Sequence, residues 1–91
     1  MRIFFSSRFK RDAKRFRHDA RATEALGVFI AAMTSEIPLD PRLRDHALVG
    51  NLKGYRECHL LPDVLLVYEV DLAIGAVTLA RIGTHAELFG K

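Results

Sequence analysis

The chain has 91 residues, of which 49% are hydrophobic and 27% are charged, and its formal net charge is +3. This length and balance predict one domain over residues 1–91 and argue against global disorder. No apolar stretch approaches the roughly 20 residues that span a membrane, and the start lacks the apolar region of a signal peptide. The single cysteine, Cys58, excludes an internal disulfide and is typical of a reducing compartment, so we expect a cytoplasmic protein.

Positive charge is concentrated in the first half of the chain. Residues 1–45 hold 10 Lys and Arg against 6 Asp and Glu, whereas residues 46–91 hold 4 against 5. This distribution permits an anionic partner such as RNA, attracted mainly by the N-terminal half. The alternative is that the basic run between Arg8 and Arg17 is only the solvated face of a helix, and the sequence leaves both interpretations open.

The first half predicts one strand and two helices. Residues 2–6 are apolar and aromatic, as in a short strand. Ser6 or Ser7 can cap a helix to about residue 16 or 17, and Asp19 can cap a second helix through residue 35. Each helix has an apolar face, formed by Phe9, Ala13 and Phe16 in the first and by Ala22, Leu26, Phe29, Ile30 and Met33 in the second.

The second half is strand-like after a proline-containing loop at residues 36–44. Strands are predicted over residues 46–50, 54–60, 64–70 and 76–82, with short turns between the last three. Short turns favour antiparallel pairing. We therefore expect an α+β fold of order β-α-α-β-β-β-β, with two N-terminal helices packed on one face of a small, mainly antiparallel sheet. Thr84-His85-Ala86-Glu87 fits a capping box and predicts a short C-terminal helix.

The second half also holds an acid–base and phosphate-contacting set. Strand alternation places Glu57 and His59 on one face and Arg56 on the other, together with Cys58, which we expect in the core. Asp63 follows the next turn, where its carboxylate can accept a hydrogen bond from an imidazole. The remaining members of this set are His46, Lys53, Arg81 and His85.

Two histidines and an arginine around a phosphate suffice for RNA cleavage without a metal ion. One group takes the proton of the ribose 2′-hydroxyl, another protonates the leaving 5′-oxygen, and a cation stabilises the transition state. If two strand ends lie side by side, His59 and His85 can flank one phosphodiester, with Arg81 near its oxygens. A metal site is the competing interpretation, but no pair of candidate ligands has the close spacing of known sites, so no metal is expected.

Two blocks of the sequence carry a family resemblance. Residues 45–68 read D-H-A-L-V-G-N-L-K-G-Y-R-E-C-H-L-L-P-D-V-L-L-V-Y, and residues 81–90 read R-I-G-T-H-A-E-L-F-G. They resemble the YafQ-like toxins of the RelE/ParE superfamily of bacterial toxin–antitoxin systems. The resemblance implies a microbial-RNase-type fold without a cofactor, cleavage of mRNA in the ribosomal A site, and a hetero-oligomeric complex with an antitoxin.

The resemblance also implies roles for individual residues. His46, His59, Asp63 and His85 fall on the catalytic positions, Phe89 on the terminal aromatic, and Arg81 on a basic position near the phosphate. Glu57 stands where the family often has an aspartate. We expect His85 as general acid and either His59 or His46 as base, oriented by Asp63. Two other functions stay open at this point, namely a gyrase-inhibiting toxin of the ParE type and a non-toxic binding domain.

Overall fold

A computed structural model describes residues 1–90, and its elements follow the predicted order. The strands are β1 (Arg2–Phe5), β2 (His46–Ala47), β3 (Arg56–Leu61), β4 (Val64–Asp71) and β5 (Ala76–Gly83), and the helices are α1 (Ser7–Ala13), α2 (Ala20–Thr34) and α3 (His85–Phe89). Three short 3₁₀ turns lie at Lys14–Phe16, Pro41–Leu43 and Gly50–Leu52. Within residues 1–90 no helix has the length and apolar character needed to cross a membrane.

The five strands form one sheet in the order β1-β5-β4-β3-β2. The pairs β5–β4, β4–β3 and β3–β2 are antiparallel, whereas β1 runs parallel to β5. The predicted α+β fold with a mainly antiparallel sheet is therefore confirmed. The parallel pair brings the start of the chain beside its last strand, so α1 is adjacent to the C-terminal segment.

Both predicted helix caps are present. The Ser6 side chain accepts a hydrogen bond from the backbone N–H of Phe9 at 3.0 Å, and Asp19 accepts one from that of Ala22 at 3.1 Å. These bonds satisfy donors that the first turn of a helix leaves unpaired. The first helix is shorter than predicted, because its last turn tightens to 3₁₀ geometry.

The core lies between the two long helices and one face of the sheet. Phe9 of α1 and Phe29 of α2 are buried there, and the Phe29 ring meets the Tyr68 ring edge-on with centroids 4.9 Å apart. The strand residues of this core are Cys58, Leu60, Val64, Leu66, Tyr68, Val77, Leu79 and Ile82. Cys58 is fully buried as expected, and burial, followed by the nearby carboxylates, raises the pKa of its thiol to about 12.

The prediction of a strand over residues 46–50 is only partly right. Strand β2 stops at Ala47, because Gly50 has a φ of +69° and opens a 3₁₀ turn. The chain then reverses, and Gly54, with a φ of +101°, precedes the return into β3. Glycine adopts such left-handed conformations at no steric cost. The result is a looped hairpin with His46 at its base.

The end of β5 is covered by α1 rather than by another strand. The pairing of β1 with β5 ends at Phe5 opposite Leu79. Beyond that point the Ser6 hydroxyl donates to the carbonyl of Ala80 at 2.8 Å, and a carboxylate oxygen of Asp12 accepts from the N–H of Ile82 at 3.1 Å. These side chains pair with backbone groups of β5 that lie beyond its pairing with β1.

Candidate active site

One row of candidate groups crosses the sheet on the face opposite the core. In register, His46 pairs with Glu57, Glu57 with Val67, and Val67 with Arg81. Side chains of directly paired residues project from the same face of a sheet. The hairpin, the central strands and the last strand thus bring His46, Glu57 and Arg81 onto one surface.

A second row runs parallel to the first, one step nearer the chain ends of β3 and β5. His59 pairs with Leu65, and Leu65 pairs with Gly83, which lies two residues before His85. Two strand spacings separate the Cα atoms of His59 and Gly83, a distance of about 10 Å. The two strand ends are therefore not side by side, because β4 lies between them, but both lie at the same end of one face.

His46 is held at both ring nitrogens. Its Nδ1 lies 2.8 Å from the carbonyl oxygen of Arg44, and its Nε2 lies 3.1 Å from Oε2 of Glu57. A carbonyl oxygen only accepts hydrogen bonds, so Nδ1 carries a proton. The contact between Nε2 and Glu57 is an ion pair when the ring carries a second proton.

Glu57 is a buried carboxylate with spare hydrogen-bonding capacity. Only 8% of the residue is exposed, and its second oxygen, Oε1, is buried with no hydrogen-bond partner among residues 1–90. A buried acceptor without a donor costs free energy, and such groups are rare outside functional sites. Glu57 therefore places an unsatisfied buried acceptor beside the His46 ring.

His59 and Asp63 flank the tight turn between β3 and β4. His59 is half-buried at the end of β3, and Asp63 is exposed in the turn. Within the described part of the chain neither side chain makes a hydrogen bond, so the predicted bond from an imidazole to Asp63 is not formed there. Both groups are available to a ligand that approaches this end of the sheet.

His85 and Phe89 lie on the short helix that follows β5. The predicted capping box is confirmed, because the Glu87 N–H donates to the Thr84 hydroxyl at 3.2 Å and the Thr84 N–H donates to Oε1 of Glu87 at 2.7 Å. The rings of His85 and Phe89 lie 5.1 Å apart at 52°. The helix thus presents an imidazole and an aromatic ring side by side.

Gly83 lets this helix approach the strand closely. A Cβ atom at position 83 would lie 3.0 Å from Oε1 of Glu87 and 3.1 Å from a methyl carbon of Leu88. Both distances are shorter than ordinary van der Waals contacts. The glycine of the G-T-H segment therefore places His85 by permitting a close helix–strand packing.

Arg81 is fixed by a partner that the sequence reasoning missed. Asp12 of α1, which is 4% exposed, accepts from Nε of Arg81 at 2.6 Å and from Nη2 at 3.2 Å. Burial raises the pKa of Asp12, but hydrogen bonds from Arg81 and the Ile82 N–H, with the charges of Arg81 and Arg15, outweigh it and lower the pKa below its usual value. A signal was present, since Asp12 lies three residues after Phe9, on the apolar side of α1.

The structure does not bring Arg56 and Lys53 to the histidines. Arg56 projects from the opposite face, where it donates to both oxygens of Asp45 at 2.8–3.3 Å, and the Tyr68 hydroxyl donates to the same carboxylate. The hydrogen bond to Asp45 raises the pKa of Arg56. Lys53 is exposed in the loop between β2 and β3. Sequence reasoning missed the anchoring role of Asp45, which directly precedes His46.

Possible metal ligands do not cluster on this face. Among residues 1–90, no group of three or more His, Cys, Asp and Glu side chains is arranged to hold a metal ion. The histidines are instead arranged singly, one on β2, one on β3 and one on α3.

Comparisons with known proteins agree with this fold. A family model described as the bacterial toxin YafQ of type II toxin–antitoxin systems matches residues 1–90. The mRNA interferase toxin YafQ of Escherichia coli K12 is 33% identical over 97% of this chain and 95% of its own length. A crystal structure of the E. coli DinJ–YafQ toxin–antitoxin complex is similar with a TM-score of 0.83 and 31% identity, covering 97% of this chain and 96% of that one. A metal-bound toxin from Helicobacter pylori is similar with a TM-score of 0.87 and 38% identity, covering 98% and 99%. The chain therefore belongs to the YafQ family of toxins of bacterial type II toxin–antitoxin systems.

Proposed function

We propose that the protein is an endoribonuclease that cleaves mRNA, acts in the ribosomal A site and so inhibits translation. The observation that carries this proposal is the single sheet face that combines His46, Glu57, His59 and Arg81 with the helix bearing His85. The relative from E. coli K12, an mRNA interferase toxin by name, aligns over 97% of the chain. The remaining proposed substrate contacts are Phe89, beside His85, and the exposed Lys53.

The proposed chemistry is acid–base catalysis without a metal ion. A base removes the 2′-hydroxyl proton, the resulting oxygen attacks the phosphorus, and an acid protonates the 5′-oxygen as its bond to phosphorus breaks. The products are a 2′,3′-cyclic phosphate and a free 5′-hydroxyl. His85 is the proposed acid, on the exposed first turn of α3.

His59 is better suited than His46 to be the base. The ring of His59 makes no hydrogen bond within residues 1–90, so one nitrogen is available for the 2′-hydroxyl proton. Both ring nitrogens of His46 are engaged, one by the Arg44 carbonyl and one by Glu57. In this scheme the His46–Glu57 pair accepts the hydrogen bond of a ribose hydroxyl or relays a proton, and Asp63 orients His59 once RNA is bound.

Arg81 is the proposed stabiliser of the phosphate. The charge that develops on the non-bridging oxygens is stabilised by a cation already in position. Exposed basic residues of α1 and the turn after it, including Arg8, Lys10, Arg11 and Lys14, supply longer-range attraction for the RNA backbone. Arg56 is paired with Asp45 on the other face. In this proposal it stabilises the hairpin that carries His46 and does not bind RNA.

The partners follow from the same proposal. The E. coli relative has been crystallised with DinJ as a toxin–antitoxin complex. We infer that this protein has a cognate antitoxin and forms a hetero-oligomeric complex with it. Because mRNA and programmed ribosomes are the proposed targets, we also infer a cytoplasmic location.

The test is cleavage of a defined, end-labelled mRNA by the purified protein, with and without programmed ribosomes and with a chelator present. Ala at His59 or His85 is expected to lower the cleavage rate about 10²–10⁴-fold, the usual contribution of one proton transfer. His18→Ala is the matched control, because His18 is exposed in the segment between α1 and α2. Full activity of His85→Ala would refute the assigned acid. No cleavage by the wild type, with growth arrest on expression, would instead favour a gyrase-directed toxin.

A further inference from the structure

Asp12 is the single acidic residue between Arg8 and Arg17, and it is buried. Its carboxylate accepts three close hydrogen bonds, two from the Arg81 side chain and one from the Ile82 N–H, and Nη2 of Arg15 lies 3.5 Å away. A buried carboxylate is unfavourable unless it is paired and hydrogen-bonded. Here the partners include Arg81, which belongs to the proposed catalytic face.

The hydrogen bond from the Ile82 N–H has a structural role, because it completes the edge of β5. The two bonds from Arg81 do something different. They engage Nε and Nη2 of the guanidinium, so that in residues 1–90 only Nη1 is left without a partner. A bidentate pair fixes the plane of the guanidinium as well as its position. Arg81 is therefore held in one orientation before any ligand arrives, with one nitrogen to offer.

A second, weaker connection joins α1 to the helix of His85. Nε of Arg15 lies 3.1 Å from Oε2 of Glu87, the residue that closes the capping box with Thr84. This ion pair is partly exposed, with side-chain exposures of 46% and 36%. Exposed ion pairs contribute little, so the main path from Asp12 to the site is Arg81.

We propose that Asp12 is a positioning residue of the ribonuclease site, which holds the Arg81 guanidinium in the orientation that receives the scissile phosphate. This inference rests on the proposed function. Asp12 contacts no reacting atom in this scheme and acts only through Arg81. The N-terminal helix thereby takes part in catalysis by organising a cation 69 residues away in the sequence.

The first test is a double-mutant cycle with Asp12→Asn, Arg81→Ala and the double variant, measured as single-turnover cleavage at saturating RNA. We expect Asp12→Asn to lower the rate about 10–100-fold, and to have no further effect once Arg81 is removed, because groups acting through one another are not additive. Asp19→Asn is the matched control, since it makes the same acid-to-amide change at an exposed helix cap, where the asparagine oxygen can still accept from the N–H of Ala22. If the wild type cleaves RNA and the two effects multiply, the positioning role is overturned while the ribonuclease assignment stands.

The second test does not depend on activity. In ¹H–¹⁵N spectra, the Nε–H of Arg81 is expected to exchange slowly with water in the wild type and in Asp19→Asn, and rapidly in Asp12→Asn. Equal exchange in all three proteins would overturn the inference. If Asp12→Asn does not fold, Arg81→Lys serves instead, because lysine keeps the charge but cannot make the two-nitrogen contact. Wild-type cleavage by Arg81→Lys would show that the fixed orientation has no catalytic effect.

Discussion

The hydroxyl of Tyr68 should stabilise the fold through the base of the hairpin that carries His46. It donates to Asp45, which also binds Arg56 and directly precedes His46. Tyr68 is 1% exposed, so water does not replace the lost donor when the hydroxyl is removed. Tyr68→Phe keeps the ring and its edge-on contact with Phe29. The substitution therefore isolates one buried hydrogen bond to a carboxylate.

The magnitude follows from the partners that remain. A hydrogen bond to a charged group contributes about 1.5–3 kcal/mol to stability. Asp45 keeps its contacts with Arg56, so the carboxylate is not left unpaired and the lower part of that range applies, about 1.5–2 kcal/mol. For a domain of this size each kcal/mol shifts Tm by about 4–8 °C, which gives a decrease of about 6–16 °C.

The assay is thermal and urea unfolding followed by circular dichroism at pH 7. Tyr55→Phe is the matched control, because the Tyr55 hydroxyl has no hydrogen-bond partner in residues 1–90. Burial, and then the bond to Asp45, raises the pKa of Tyr68. The stability that this adds is complete below the unfolded-state pKa of about 10 and is lost as the pH rises above it, so the alkaline decline should be smaller in Tyr68→Phe. Equal Tm values for the two variants would refute the reasoning.

Two further substitutions or reactions test the packing of the fold and the site. Gly83→Ala should displace α3 by a few tenths of an ångström, because its Cβ would lie 3.0 Å from Glu87. We expect the rate of RNA cleavage to fall about 10–100-fold with a small change in Tm. Gly27→Ala is the control, because its added Cβ has open space, and equal rates for the two variants would contradict the prediction. The Cys58 thiol is fully buried with a pKa of about 12, so mass spectrometry should show no iodoacetamide adduct at pH 8 in the native protein and complete reaction in 6 M urea; native-state modification would show that this part of the core opens.

Local sequence patterns were sufficient for the order and type of the elements, although not for the ends of α1 and β2, and for the face of His59. Period-two alternation placed Glu57 and His59 together and Cys58 in the core, and both placements agree with the structure. The capping box at Thr84 was equally local, since its donors and acceptors lie within four residues. Such features depend on near neighbours in the chain, and the sequence displays these directly.

The long-range partners could not be read in the same way. The sequence analysis gave no role to Asp12 or Asp45, yet Asp12 binds Arg81 and Asp45 binds Tyr68. Both contacts depend on the parallel pairing of β1 with β5 or on the register of β3 with β4. Nothing in the local pattern specifies the parallel pairing of β1 with β5. The pairing of Arg56 with Asp45 was likewise hidden, and Arg56 was therefore assigned to the substrate although its charge is paired within the protein.

Three carboxylates hold two arginines and one histidine of this fold in place. Asp12 holds Arg81, Glu57 holds His46, and Asp45 holds Arg56. The pairs of Asp12 with Arg81 and of Glu57 with His46 each join two elements, so contacts that connect the fold also orient candidate groups. In the proposed function, the longer-range attraction of RNA falls to the exposed basic residues of α1, because these cations are already paired. Asp12 makes the geometry of the proposed site depend on the N-terminal half as well.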